Sequence, residues 1–297
     1  MTTEERIADD FARVGMDAWL HVADLDRADA GDGEIAWRAD ELVVIASIAQ
    51  ILTVLEFCRQ AEAGRIDPTE RVVVGAADRL DGWEAAGFAD DVEMSLRDLA
   101  HSAMSVSDNT AADLLLRRVG AHAVRSLAAG LGLERTRVIG GPREQLESML
   151  ADVGARDDAD FARIYPTLEE GRVRSLRVLD PGAATSSTPR DITRLLTMVW
   201  RDQAGPPAAC AVVRAHMARQ ILWTRLSSGF PPGVRIAAKT GTLPGLHMEA
   251  GVAEYPDGGR YAIAVFAATR SLDTRRIDVD LAMGRAAQTA VEALRTR

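Results

Sequence analysis

Two residue types that occur once each in this 297-residue chain lie inside short motifs that could do chemistry. The single lysine opens Lys239-Thr240-Gly241-Thr242, and the single asparagine closes Ser107-Asp108-Asn109. Of the 35 basic side chains, one is lysine and the other 34 are arginine. A lone lysine among arginines indicates a position that needs a compact ammonium on a flexible stem rather than a planar guanidinium. Both motifs suit a serine acyl-transfer enzyme.

Ser47 is the candidate nucleophile for such chemistry. Serine acyl transfer needs a nucleophile, a proton acceptor, oxyanion-binding donors and a cation that anchors a substrate carboxylate. Ser47 follows the strand-like segment 42–45 and opens a predicted helix over 47–63, where the helix dipole and unpaired N–H groups assist a serine. Taken singly, Ser47 also suits an N-cap, 107–109 a cap and turn, and 239–241 a solvated strand end. Their order and spacing together favour catalysis.

On these three motifs the chain resembles the penicillin-recognising serine enzymes, chiefly class A beta-lactamases and the related DD-peptidases. The resemblance extends over nearly the whole chain. It includes the segment from Asp180-Pro181-Gly182 to Thr188-Pro189, and Glu249-Ala250-Gly251-Val252 after the third motif. It implies a beta-lactamase/transpeptidase-like fold and a serine hydrolase.

The resemblance also implies a role for each motif position. Ser47 is expected to be acylated, Ser107 to shuttle a proton to the leaving group, and Lys239 to tune Ser107 and attract the substrate carboxylate. Backbone N–H groups of Ser47 and Thr242 are expected to form the oxyanion hole. The implied substrate-binding positions are Asn109, Thr240, Gly241 and Thr242. The implied partner is a small molecule that carries a carboxylate.

Gln50 is the first departure from the family pattern. The family motif is Ser-x-x-Lys, whereas this chain has Ser47-Ile48-Ala49-Gln50. Residues three apart share a helical face, so a lysine there lies beside the serine oxygen. A neutral amine accepts the serine proton, but an amide is not a useful base, and losing general-base help costs a factor of about 10²–10⁴. Gln50 therefore predicts slow or blocked turnover, whether it is natural or an engineered substitution.

The second departure concerns the glutamate that activates the deacylating water. Class A enzymes place a glutamate before the segment at Asp180, followed four positions later by asparagine. Here Glu169 and Glu170 are followed at that spacing by Val173 and Arg174, and the only asparagine lies elsewhere. Fast hydrolysis of a β-lactam acyl-enzyme is therefore not expected.

Two functions from different classes follow from these residues. The first is a beta-lactamase-like serine hydrolase that acts on a lactam, amide or ester through a Ser47 acyl-enzyme, or an intracellular transacylase of the same type. The second is a catalytically silent relative that binds acyl ligands or carboxylates through Lys239 and the Ser107 motif. Gln50 favours the second, whereas the retained Ser47 favours the first.

The order of predicted elements indicates an α/β unit interrupted by an all-α unit. The run 261–268 is apolar on both faces, as in a central strand covered by helices. We predict an antiparallel sheet flanked by terminal helices, with residues 1–43 and 219–297 forming a discontinuous α/β domain and 44–218 an inserted all-α domain. The predicted terminal elements are helices over 4–14 and 273–295 and strands over 17–24, 34–38, 234–239, 247–255 and 260–269.

Composition and the N-terminal sequence limit the cellular location and the kinds of binding partner that we expect. The net charge of -9 argues against a nucleic-acid binder, and no apolar run is long enough for a membrane span. The N-terminus lacks a basic region followed by an apolar one, so a cytoplasmic location is expected. Cys58 and Cys210 are predicted to be buried structural thiols, and the five histidines lack ligand spacing. No metal or cofactor is expected.

Overall fold

A computed structural model describes residues 2–27, 33–80 and 84–297 of the chain. Its main feature is a five-stranded antiparallel sheet built from both ends of the chain. The predicted connection over 26–33 lies largely outside the described residues. The strands of this sheet are β1 (Met16–Asp24), β2 (Glu34–Trp37), β7 (Arg235–Leu243), β8 (Leu246–Glu254) and β9 (Arg260–Thr269).

The strand order is β2-β1-β9-β8-β7, which places β9 at the centre and β7 at an edge. The apolar run 261–268 therefore lies on the central strand, as its burial on both faces predicts. In the register of the edge pair, Lys239 lies opposite Ala250 and Gly241 opposite Met248. The third sequence motif is thus part of the sheet edge.

The two faces of the sheet pack against different helices. One face packs on the terminal helices α1 (Thr3–Ala12) and α12 (Ile277–Arg295), with Phe11 and Met283 in the shared core. The other face packs on the helical segment, where Phe266 joins a second core cluster. This arrangement confirms the predicted fold class.

The middle of the chain is mainly helical, as predicted. It also contains two short strand pairs, β3 (Val43–Val44) with β6 (Ser186–Ser187), and β4 (Arg71–Val74) with β5 (Val92–Ser95). Strand β3 lies in the strand-like segment 42–45, whereas the sequence analysis missed the other three strands. Strands of two to four residues have too few positions to show an alternating pattern. The α-helices of this part are α2 (Gln50–Glu62), α3 (Leu96–Ser105), α4 (Asn109–Val119), α5 (Ala121–Gly130), α6 (Pro142–Val153), α7 (Asp158–Ile164), α8 (Glu170–Arg174), α9 (Pro189–Trp200) and α10 (Pro207–Met217), followed by α11 (Leu226–Gly229).

Helix α2 lies at the centre of the helical part and packs against α3, α4, α5 and α10. Cys58 on α2 and Cys210 on α10 are both buried free thiols, as predicted, and burial raises the pKa of Cys58 to about 12. The larger core cluster includes Leu25 and sheet residues such as Met248 beside the helical residues, so it crosses the predicted domain boundary. The division at residues 43/44 and 218/219 remains a prediction.

Asp108 is a buried capping residue whose loss is expected to weaken the fold. It is the N-cap of α4, and its carboxylate accepts bonds from Ala111 N (3.0 Å), Ser102 Oγ (2.9 Å) and Ala85 N (3.2 Å). Asp108→Ala should lower the free energy of unfolding by about 2–4 kcal/mol, since it removes a cap and leaves buried donors unpaired. Urea unfolding measures this. The exposed N-cap variant Asp157→Ala is the control, with an expected cost of about 1 kcal/mol or less; equal losses would contradict the prediction.

Candidate active site

Ser47 lies in a tight turn rather than at the start of a regular helix. Residues Ala46–Ala49 form a 3-10 helix after β3, and the α-helix begins only at Gln50. The N-cap of the 3-10 helix is Ile45, so the prediction that Ser47 opens the helix, and its interpretation as an N-cap, are both wrong. Ala46 has φ of +41°, a conformation that non-glycine residues seldom adopt. This bend presents Ser47 half-exposed on the surface of the turn.

The edge strand β7 packs directly against this turn. Gly241 allows the close approach, because a Cβ built there lies 3.2 Å from the carbonyl oxygen of Ile45 and 2.7 Å from Met248 Cγ. The strand was predicted to end at residue 239, but pairing with β8 continues to Leu243 opposite Leu246. The motif 239–242 therefore lies within the strand, beside the turn that carries Ser47.

Lys239 and Ser107 are in direct contact. Lys239 Nζ donates to Ser107 Oγ at 2.8 Å and to the carbonyl oxygen of Thr240 at 2.8 Å. The lysine side chain is 0% exposed. Burial, and next the charge of Arg225, lower the pKa of Lys239 to about 7, against an opposing effect of Glu249. With a pKa near neutral pH, the Lys239 amine exchanges between its charged and neutral forms there, and its neutral form can accept a proton.

The turn at Ser107 explains how its side chain reaches Lys239. Ser107 has φ of +61°, in the left-handed region, and follows the end of α3. Asp108 then caps α4, as the cap-and-turn interpretation of this segment predicted. Asn109 is the first residue of α4 and is partly buried. The cap holds the turn in place, and the turn directs the Ser107 hydroxyl toward β7.

Gln50 is buried on the first turn of α2, with 5% exposure. Its Oε1 has no hydrogen-bond partner, which is a costly state for a buried acceptor. Ser47 and Gln50 line one small cavity, and among its described lining residues there is no lysine, histidine or carboxylate. The remaining lining residues are Ala46, Ala49, Thr53, Ala112, Leu116, Val138, Gly140, Gly141, Pro142 and Gln145.

The two glutamates considered from the sequence lie elsewhere. Glu170 pairs with Arg174 at 2.6 Å and lines a different cavity, beside Met16 at the start of β1. Glu169 is the exposed N-cap of α8. Neither glutamate lines the cavity of Ser47.

Arg225 is a cation of the site that the sequence analysis missed. Its buried guanidinium donates to Thr242 Oγ1 at 2.8 Å and to the carbonyl oxygens of Gly241 and Met248, each at 2.8 Å. Nε donates to Asp280 Oδ1 at 2.9 Å. Because the chain has 34 arginines, the sequence alone did not identify Arg225 as a site residue. Thr242 itself is exposed.

A buried acid supports β7 and β8 from the face opposite Lys239. Glu249 accepts from Gln220 Nε2 at 2.6 Å and from Leu226 N at 2.5 Å. Burial raises the pKa of Glu249 to about 7. His247, also fully buried, bonds Asp280 Oδ1 at 2.9 Å. The sequence showed Glu249 only as part of the resemblance after the third motif.

Comparison with known proteins agrees with this fold. Residues 2–294 match the sequence model of a family described as the Beta-lactamase enzyme family. A beta-lactamase from Sphaerobacter thermophilus superposes with a TM-score of 0.77 at 22% identity, covering 99% of this chain and 97% of that one. The structure called PBP-A gives 0.76 at 19% identity, covering 98% and 96%.

The chain belongs to the beta-lactamase enzyme family. A curated relative, the beta-lactamase regulatory protein BlaB of Streptomyces cacaoi, is 27% identical over 249 residues, which cover 78% of this chain and 79% of that protein. Among the described residues no helix is long and apolar enough to cross a membrane.

Proposed function

We propose that this protein is a serine acyl-transfer enzyme that acts on a small lactam, amide or ester with a carboxylate, through a slow-forming and long-lived acyl-enzyme at Ser47. One observation carries the proposal. Lys239, buried and with a pKa near 7, donates to Ser107 Oγ at 2.8 Å. Gln50 meanwhile occupies the position beside Ser47 where the resembling enzymes have their lysine.

The proton pathway follows from this pair. When Lys239 is neutral, the Ser107 hydroxyl can donate to Nζ across the same 2.8 Å contact. Ser47 Oγ then attacks the substrate carbonyl carbon, and its proton passes to Ser107 Oγ as the Ser107 proton passes to Lys239 Nζ. The reverse transfer through Ser107 delivers a proton to the leaving atom when the bond to the carbonyl carbon breaks. Backbone N–H groups of Ser47 and Thr242 stabilise the oxyanion that forms between these steps. The products are the Ser47 ester and the protonated leaving group.

Arg225 supplies the permanent charge for the substrate carboxylate. Lys239 cannot be a neutral base and a cationic anchor at the same time, whereas arginine stays protonated at all ordinary pH values. Arg225 Nη2 donates to Thr242 Oγ1, which leaves the threonine proton available for a carboxylate in the cleft. Arg225 is therefore a positioning residue that acts through Thr242.

Deacylation is the slow step in this proposal. Water needs a base on the cavity side of the acyl-enzyme, and the described residues lining the Ser47 cavity offer only neutral groups. The Lys239–Ser107 pair lies toward β7 and serves the leaving group. An acyl-enzyme that persists is the expected consequence.

A second candidate function is acyl-ligand or carboxylate binding without turnover. The unpaired amide of Gln50 favours it, because an amide in this position cannot serve as a base. The relative named as a beta-lactamase regulatory protein also favours it, since a regulator needs recognition rather than turnover. In that case the cleft binds penicillin-like molecules but leaves Ser47 unmodified.

Intact-mass measurement after incubation with benzylpenicillin tests the proposal. We expect one covalent adduct on the native chain and none on Ser47→Ala. Ser175→Ala, which changes an exposed serine elsewhere, should keep the adduct. Saturable penicillin binding without an adduct, in the native chain and in Gln50→Lys, would favour the binding function. An adduct that survives in Ser47→Ala would contradict the choice of nucleophile.

A further inference from the structure

The segment 220–226, which leads from α10 into the first residue of α11, is held in place by hydrogen bonds at both ends. The Glu249 carboxylate bonds both of its ends, through Gln220 Nε2 at 2.6 Å and Leu226 N at 2.5 Å. Within the loop, Thr224 Oγ1 and Arg225 Nε donate to the carboxylate of Asp280. These anchors tie the loop to β8 and α12.

The tip of this loop is organised by Gln220 as well. Leu222 N donates to Gln220 Oε1, and Trp223 Nε1 donates to the Gln220 carbonyl oxygen at 3.2 Å. Ile221 N donates to the carbonyl oxygen of Ser105 at 3.2 Å, which joins the loop to the end of α3. The indole N–H is thus satisfied inside the loop, while the ring is left open to solvent.

This fixed tip exposes three consecutive large apolar side chains. Ile221 is 63% exposed, Leu222 39% and Trp223 71%. Single exposed apolar residues are common, but contiguous ones usually mark a binding surface. A backbone that is already ordered loses little entropy when a ligand binds. The loop therefore has the properties of an apolar contact site.

Two features connect the loop with the residues that, under the proposed function, serve the leaving group of the substrate. Its contact residue Ser105 lies two positions before Ser107, and Trp223 lies two positions before Arg225. Under the proposed function, Ser107 delivers the proton to the leaving group, and Arg225 with Thr242 serves the carboxylate. The segment that carries the exposed side chains thus bonds the end of α3 through Ile221 N and bonds Thr242 on β7 through Arg225 Nη2.

We propose that Ile221, Leu222 and Trp223 form a leaving-group subsite that selects substrates with an apolar, preferably aromatic, substituent beside the leaving-group carboxylate. This inference rests on the proposed acyl transfer at Ser47. The carboxylate faces Thr242 and Arg225, and the neighbouring substituent packs on the open face of Trp223. Aromatic pairs in such contacts add to the gain from burial alone.

Two thioester donors with the same phenylacetylglycyl group test the subsite. One has mercaptoacetate as leaving group, and the other has 2-mercapto-3-phenylpropanoate, which adds a benzyl group beside the carboxylate. Thiol release and the Ser47 adduct are followed together, and each rate is divided by the rate of hydrolysis by hydroxide. We expect the benzyl donor to acylate about 10- to 100-fold faster after this correction.

Variants at Trp223 show whether the loop makes this selection. Trp223→Ala should remove the preference, Trp223→Phe should restore much of it, and Val73→Ala, at an exposed residue on β4, should leave it unchanged. Equal corrected rates for the two donors, or an equal loss for both donors in Trp223→Ala, would overturn the subsite while leaving the proposed function intact. If neither donor acylates Ser47, in the native chain or in Gln50→Lys, the proposed function fails, and the subsite fails with it.

Discussion

Replacement of Lys239 by methionine is expected to slow acylation of Ser47 by a factor of about 10²–10⁴, the usual contribution of a general base. Methionine keeps a long flexible side chain in the buried position but cannot accept the proton from Ser107. Lys239→Arg should be as slow, because a guanidinium keeps its proton. The measurement is the second-order rate constant for adduct formation with benzylpenicillin. Thermal unfolding of each variant establishes that the fold is retained.

The pH dependence of acylation gives this prediction a second readout. The pKa of Lys239 is about 7, so the neutral amine dominates above that pH and the native rate should rise through about pH 7 to a plateau. Glu249 also has a pKa of about 7. Because the charge of Glu249 raises the pKa of Lys239, Glu249→Gln should move the rise to lower pH without removing it. A rise that survives in Lys239→Met would show that Lys239 is not the base.

The second large effect is expected from Gln50→Lys. A lysine at this buried position on the first turn of α2 lies next to Ser47, and burial favours its neutral form. Acylation by benzylpenicillin should become faster by a factor of about 10²–10⁴. Release of the product should stay slow, because the described residues lining the cavity offer no carboxylate to activate water.

Gln50→Met is the matched control for this variant. Methionine has a similar length and removes the unpaired Oε1 acceptor, so stability should stay the same or rise slightly. Its acylation rate should equal that of the native chain. If Gln50→Met slows acylation as much as Lys239→Met, the amide itself takes part in the reaction. If Gln50→Lys folds normally but acylates no faster, the missing base is not what limits the native chain.

Lys239 and Ser107 could be selected from the sequence because their motifs contain the residue types that occur once in the chain. Lys239 and Ser107 are 132 positions apart, yet their side chains meet at 2.8 Å. The central strand β9 was also predictable, because both faces of the run 261–268 are apolar. The start of α2 was predicted less well, because the positive φ of Ala46 makes a tight turn from an ordinary alanine.

The polar contacts that hold the motif residues in place could not be predicted from the sequence. Arg225 is one of many arginines, and only the folded chain brings its guanidinium to Gly241 and Thr242. Its partner Asp280 lies 55 positions away on α12. Long-range polar contacts of this kind leave no local pattern in the sequence. The exposed tip at Trp223 is likewise apparent only when burial is known.

The central claim is a slow, persistent acyl-enzyme at Ser47, and a pulse-chase experiment with intact-mass detection tests it most directly. The native protein is incubated with benzylpenicillin, free penicillin is removed, and the mass and the modified peptide are followed with time. The account predicts a single adduct on the Ser47 peptide that persists through the chase. Rapid return to the unmodified mass with continued penicillin hydrolysis, or an adduct on any other residue, would contradict it.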